Sequence, residues 1–300
     1  MLLPQLRNRL LDQPNERSSH SYPTPRGGGC SVVLVSVVAS ATGLFFAGFS
    51  PLVATPLLAL PLAFAGFLDD RHNLPVSWRY VVQLASALVV VLLSRLVDPS
   101  LVSWPVLVLL VVGVTAVINF TNFMDGLDGL IAGCMAVAIA TVAFELAAPW
   151  PIWALVGSLL GFIFWNWSPA KVFMGDVGST FLGAVFAGLV LQSTSCTEAL
   201  GLLLVTTPLL ADAFFCVPRR ILAGQRVFQA HKLHLFQRLH QAGWPHSRVS
   251  SLYIAATAAL AIAFLWGGLP WVITLAAAEL LTGVWLDQKV AVPFSVASRS

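Results

Sequence analysis

Four polar side chains stand three residues apart in the stretch N-F-T-N-F-M-D-G-L-D-G-L-I-A-G: Asn119, Asn122, Asp125 and Asp128. They fall where one very apolar run ends and the next begins. A carboxylate in or beside hydrocarbon costs on the order of several kcal/mol unless it is paired, hydrated or metal-bound, so such a cluster is a functional-site hypothesis by default. In an α-helix Asp125 and Asp128 are neighbours on one surface. Each step of three lags by roughly 60° behind the 3.6-residue turn, so the four groups sweep a half-circle unless the helix tightens or breaks. Gly126 and Gly129 allow a break. Interfacial groups facing water are the alternative reading.

Three further stretches carry chemistry of the same kind. Gly66 to Asp70 reads G-F-L-D-D, adjacent carboxylates at a helix end that could hold a cation or a proton, or a solvated terminus. Phe173 to Thr180 reads F-M-G-D-V-G-S-T, and there Asp176 precedes a new helix by two residues. Backbone N–H groups there suit an anion, and the carboxylate suits the Mg²⁺ that accompanies a diphosphate; a capping Asp with glycine turns is the alternative. The segment Pro218 to His246 carries Arg219, Arg220, Arg226, Lys232 and Arg238, enough cations to hold a diphosphate or anionic headgroups. His231 and His234 can share a helix face there, and a basic helix lying on a membrane is the competing account. Asp212 stands in the last turns of the preceding helix, able to orient one of these cations.

The elements that must position these groups are apolar helices. With 58% hydrophobic and 10% charged residues in 300, the chain lies far outside globular usage and reads as an all-α, multi-pass membrane protein forming one domain. A net charge of +3 gives no argument for nucleic acid. Cys30, Cys134, Cys196 and Cys216 show no ligand spacing and read as small buried hydrophobes. Residues 1–29 are polar, without the pattern of a signal peptide, and read as an ordered or semi-ordered surface loop. Ten apolar runs follow, at about 31–49, 52–68, 79–97, 101–118, 127–147, 150–165, 178–194, 198–217, 249–267 and 269–286. If residues 1–29 are cytoplasmic, every Lys and Arg except Arg95 lies in or beside a cytoplasmic segment. Asp69, Asp70, Asp125, Asp128, Asp176 and Asp212 collect on that same face. The positive-inside rule does not ask for acids there, whereas a divalent cation and a phosphate-bearing substrate would. A transporter would place such groups near the bilayer midplane instead.

G-F-L-D-D, N-x-x-N-x-x-D-G-L-D-G-L, F-M-G-D-x-G-S and the His-containing segment, in this order and on one face, resemble the polyprenyl-phosphate N-acetylhexosamine-1-phosphate transferase family over nearly the whole chain. The opening P-N-E-R-S-S-H-S-Y-P-T-P-R-G-G-G resembles the branch that initiates O-antigens. The resemblance implies that Asp69 and Asp70 lie near the lipid phosphate and that Asn122 and Asp176 attend Mg²⁺, with Mn²⁺ as a substitute. It implies that Asn119, Asp125 and Asp128 lie on the nucleotide-sugar side, with Asn166 beside them. Of these, Asp69, Asp70, Asp125 and Asp128 are the catalytic candidates. Substrate contacts are expected from Asn119, Asn166, Arg219, Arg220, His231, His234 and Arg238. The family's H-x-H-H is reduced here to His234-Leu-Phe-Gln, and the membrane helix that members usually carry before the opening loop is absent. The implied partners are a UDP-sugar, undecaprenyl phosphate and membrane lipid in a bacterial inner membrane, with a homodimer allowed and the site facing the cytoplasm.

Overall fold

The computed structural model describes residues 11–12, 23–97, 102–225 and 231–298. The expectations for residues 1–10 and 13–22, and for Arg226, lie outside them.

Each apolar run forms helix. In chain order these are α1 (Gly29–Ala47), α2 (Pro51–Leu58), α3 (Leu60–His72), α4 (Val76–Leu92), α5 (Trp104–Phe123), α6 (Leu130–Glu145), α7 (Trp150–Asn166), α8 (Asp176–Val190), α9 (Cys196–Leu204), α10 (Thr207–Leu222), α11 (Leu235–Gln241), α12 (His246–Lys289) and α13 (Phe294–Ala297). Many starts follow from local chemistry: Pro51, Pro105, Pro151 and Pro208 occupy first-turn positions, where their missing N–H is no loss. The protein is an all-α membrane protein. On length and composition alone, α1, α2 with α3, α5 and α12 can each cross a bilayer. The pair α9 and α10 makes a fifth candidate, bent by 80° between them. The shorter α4, α6, α7 and α8 are equally apolar.

Two departures from the run-by-run expectation have local causes. The run 52–68 is split at Ala59, just before Pro61 in the first turn of α3. The run 198–217 is broken at Val205–Thr206, ahead of Pro208, and α10 continues through Pro218 to Leu222, so Arg219 and Arg220 lie in its last turn and the segment after it starts at Ala223, five residues beyond Pro218. The final two runs meet in α12 and part where the sequence divides them, its helical path breaking at Gly268 (φ 67°, ψ −161°), a conformation that glycine adopts without strain.

Helix α8 lies at the centre. Residues Val177 to Val190 are buried on every side, whereas Phe45, Trp104, Phe164 and Trp266 on other helices are largely exposed, as a lipid-facing surface requires. Helices α5, α3, α1 and α2 pack on α8. A short antiparallel pairing of β1 (Leu11–Asp12) with β2 (Thr24–Pro25) ends the opening segment. That segment is then laced to the F-M-G-D stretch: Phe173 N–H donates to Pro25 O, Gly28 N–H to Phe173 O and Gly29 N–H to Met174 O, at 2.8–2.9 Å.

Candidate active site

Close backbone approach builds the site. A Cβ on Gly66 would lie 2.5 Å from the carbonyl of Asp176, so α3 can touch the start of α8 only because residue 66 has no side chain. Gly29 meets Gly178 in the same way. The first contact brings the end of α3, with Asp69 and Asp70, against the first turn of α8, with Asp176, and the second brings the start of α1 against the same turn.

The carboxylate of Asp70 caps α8, accepting the N–H of Asp176 at 3.1 Å and of Val177 at 3.2 Å. Two of the four N–H groups that open a helix are thereby satisfied from another helix. Gly175, at φ 76°, precedes them, and a side chain there would collide with Asp70. Asp69 is 8% exposed and accepts the N–H of Leu74 at 2.7 Å. Arg79 of α4 spans the acidic group, its guanidinium 3.0 Å from Asp69 and 3.4 Å from Asp176. Asn122, at the end of α5, accepts the hydroxyl of Ser179 on α8 at 2.6 Å.

Asp125 lies in the turn between α5 and α6. Burial pushes its carboxyl up to about 7, the nearby Asp70 charge adds to this, and the Arg26 charge and a bond from the Gly175 backbone oppose it. Asp128 accepts the N–H of Ala170 at 3.1 Å and lies 3.2 Å from Nδ1 of His246. Asp69, Asp70, Asn122, Asp125 and Asp176, from α3, the end of α5, the α5–α6 turn and α8, therefore meet with Arg79 and the field of Arg26 at one end of the bundle.

The two remaining asparagines serve as clamps. Asn119 donates to Gln83 Oε1 and Thr115 O, both at 2.8 Å, tying α5 to α4. Asn166 accepts Gly129 N–H and donates to Val172 O, both at 2.9 Å, and so fixes the α5–α6 turn against the 167–175 loop.

The basic segment forms a second cluster beside the first. Asp212 accepts the N–H of Leu235 (2.8 Å) and of Phe236 (3.0 Å) and the hydroxyl of Tyr253 (2.7 Å), holding the start of α11. His234 is 2% exposed, with Nδ1 3.5 Å from Asp212, at the outer limit of an ion pair and beyond good hydrogen-bond geometry. Its burial disfavours charge, but the Asp212 contact prevails and raises it to about 9. His231 is lowered to about 3 by burial and by the charges of His234 and Arg220, and stays neutral. Arg238 is 2% exposed, donating to Leu233 O (3.1 Å) and Val292 O (2.9 Å) and pairing with Asp287. Arg219 also pairs with Asp287, at 2.9 Å, and lies over the Phe294 ring. Arg220 is 3% exposed and bonds Gln225. Phe236 covers Gly126, bringing α11 against the acidic turn.

Arg79 and Ser179 went unnoticed in the sequence. Arg79, in S-W-R-Y, reads as one more topogenic cation. Ser179 is the S of F-M-G-D-x-G-S, one turn beyond Asp176 and on its face, and that spacing was a usable signal.

A bundle of apolar helices with acids, amides and a bridging arginine at one end defines a membrane-embedded enzyme of phosphate chemistry. A family model described as Glycosyl transferase family 4 matches residues 52–194. The chain is 31% identical over 269 residues to a probable undecaprenyl-phosphate N-acetylglucosaminyl 1-phosphate transferase of Bacillus subtilis, covering 81% of this chain and 73% of that one. It is 32% identical to a decaprenyl-phosphate N-acetylglucosaminephosphotransferase of Mycobacterium leprae (83% and 75%). It is 28% identical to the undecaprenyl-phosphate alpha-N-acetylglucosaminyl 1-phosphate transferase of Escherichia coli K12 (84% and 75%). The chain belongs to the polyprenyl-phosphate N-acetylhexosamine-1-phosphate transferase family.

Proposed function

We propose that this protein transfers N-acetylhexosamine-1-phosphate, or a 6-deoxy amino-sugar-1-phosphate, from a UDP-sugar to undecaprenyl phosphate and releases UMP. The observation that carries the reading is the meeting of Asp69, Asp70 and Asp176 at one end of an apolar bundle, with Arg79 paired to Asp69 and Asp176 and the Asp70 charge felt by Asp125. An oxygen of the lipid phosphate attacks the sugar-linked phosphorus, a P–O bond forms, and the bond to the UMP oxygen breaks with its electron pair leaving on UMP. No proton has to be removed first, because a phosphate monoester with a second pKa near ~6 is mostly dianionic at neutral pH. Repulsion between two anions is the barrier, so positioning and charge neutralisation are the work of the site.

Two carboxylates paired to Arg79, with Asp70 beside them at the start of α8, suit a divalent cation. Asp176 and Asn122 offer the hard oxygen donors that Mg²⁺ or Mn²⁺ takes, and the bound ion would offset diphosphate charge. Arg79 orients Asp176, Asp70 holds the helix start beneath it, and Ser179 fixes the Asn122 amide. Asp125 and Asp128 flank the sugar-nucleotide side. The charge bias supports a bacterial inner membrane protein with this site facing the cytoplasm, and the opening segment supports a place at the start of O-antigen synthesis.

The test is incorporation of label from UDP-N-acetylglucosamine into lipid extract by purified protein, with and without Mg²⁺, beside a panel of UDP-N-acetylgalactosamine and 6-deoxy sugars. Metal-dependent label in the lipid phase supports the reading, and no transfer from any UDP-sugar refutes it.

A further inference from the structure

Cys216, His231 and His234 come together from α10 and the segment leading into α11, with one ligand atom of each lying within 4.8 Å of the others. They are separate from the acidic group around Arg79. Cys216 and His234 are buried and His231 half-buried. A tetrahedral zinc, at ~2.0 Å from nitrogen and ~2.3 Å from sulfur, spaces these donors by roughly 3.3–3.5 Å, so the trio needs to close by no more than about 1.5 Å.

We propose that Cys216, His231 and His234 bind a soft divalent cation of the zinc type. Softness selects it, because a thiolate with two imidazoles suits zinc and not the magnesium class, which takes oxygen. Charge also balances: a Cys216 thiolate and the Asp212 carboxylate together offset a doubly charged ion. Asp212 occupies the supporting position that metal-bound histidines use, its carboxylate facing Nδ1 of His234 and leaving the other ring nitrogen for the metal. That carboxylate is itself fixed by Leu235, Phe236 and Tyr253. His231 gives up a 3.2 Å contact from the Leu233 N–H to its Nδ1, or keeps it in part, as the ring turns to the metal. Cys216 also lines a cavity of about 590 Å³ between α10 and α12, which offers the ion an entry path and room for water. The site ties α10 to the start of α11 and so steadies the helix that covers Gly126. It rests on these side chains alone and not on the transferase reading.

The experiment uses the full chain in detergent, purified without a polyhistidine tag, stripped with chelator and titrated with Co²⁺. A thiolate-to-cobalt absorption band in the near ultraviolet, saturating at one equivalent and displaced by Zn²⁺, is expected. Mg²⁺ should leave it unchanged. Cobalt held by the acidic group has no sulfur ligand and gives no such band, so loss of catalysis and loss of this site are read separately. Cys216→Ser should abolish the band, His231→Ala should weaken Co²⁺ binding at least tenfold, and Cys196→Ser, at an exposed thiol, should change neither. His231 is half-exposed, so its variant keeps the test usable if the buried Cys216→Ser fails to fold. No band in the wild type, or a band that survives Cys216→Ser, would overturn the proposal.

Discussion

Asp70 holds Asp176 in place without touching its side chain: the Asp70 carboxylate accepts the backbone N–H of Asp176 and of Val177, joining the end of α3 to the start of α8 across 106 residues of sequence. An Asp pair that reads as two substrate-side acids is thus divided in labour, with Asp69 held by Arg79 and Asp70 acting as a helix cap. Removing the cap in Asp70→Ala should cost about 1 kcal/mol of stability. It should also lower activity at least ~100-fold, since a small misplacement of a catalytic group can cost that much. Asp70→Asn keeps one acceptor oxygen and should fall between wild type and Asp70→Ala in thermal unfolding. Unchanged melting and turnover in both variants would remove Asp70 from this role.

The helices were legible because apolar runs near bilayer length admit little else, and the acidic end was legible because unpaired carboxylates are rare in such a chain. What periodicity could not show was which way each polar group points. Asn119, Asn122, Asp125 and Asp128 look equivalent at their spacing of three, yet α5 stays regular to Phe123, so Asn119 is turned to Gln83 while Asn122 reaches Ser179. Asn166 and Arg238 carry the polarity of binding residues but spend it on backbone carbonyls and N–H groups that only the folded chain brings near. The bend between α9 and α10 and the pairing of Arg79 with two acids are likewise long-range facts.

Asp176→Asn should abolish transfer while leaving the protein folded, because an amide is a much poorer Mg²⁺ ligand than a carboxylate. The backbone N–H that Asp70 accepts is untouched by the change. Near-normal turnover in saturating Mg²⁺ would sink the assignment of Asp176 to the metal.

Arg79 competes with any divalent cation for Asp69 and Asp176. Arg79→Ala should therefore lower turnover at least ~10-fold while reducing the Mg²⁺ concentration needed for half-maximal rate, since the acids are left without their internal counter-charge. Arg79→Lys keeps the charge but loses the two-pronged geometry and should recover only part of the rate. A Mg²⁺ titration that does not shift in Arg79→Ala would contradict the bridging role.

The raised Asp125 carboxyl carries a stability signature with a definite sign. An ordinary Asp titrates near ~4, and burial raises this one to about 7. The folded state thus binds the proton more tightly than the unfolded chain, and wild-type stability falls as pH rises from about 4 to about 7. Asp125→Asn removes the penalty. In metal-free detergent solution it should melt higher than wild type at pH 8, with the difference shrinking as pH is lowered towards 4, although the variant is less active. An equal melting temperature at all pH values would show that Asp125 is not held in the disfavoured charged form.

The last prediction concerns which bond breaks. Attack at the anomeric carbon would release UDP and would ask for a carboxylate pair devoted to an oxocarbenium-like centre. The acids here are otherwise engaged: Asp70 caps α8, Asp69 and Asp176 share Arg79, and Asp128 holds Ala170 and faces His246. Among the described residues of this cluster, that leaves Asp125 without a second free carboxylate to form such a pair. Displacement at phosphorus fits the arrangement, and a single cleft that takes both substrates needs no phosphorylated aspartate on the way. The expected products are polyprenyl-diphosphate-sugar and UMP in equal amounts, with the anomeric configuration of the sugar unchanged. Chromatography of the released nucleotide reads the outcome directly, and UDP as the stoichiometric product would refute it. Isotope exchange between UMP and the UDP-sugar in the absence of lipid would instead require a covalent intermediate, with Asp125 the first carboxylate to examine for phosphate.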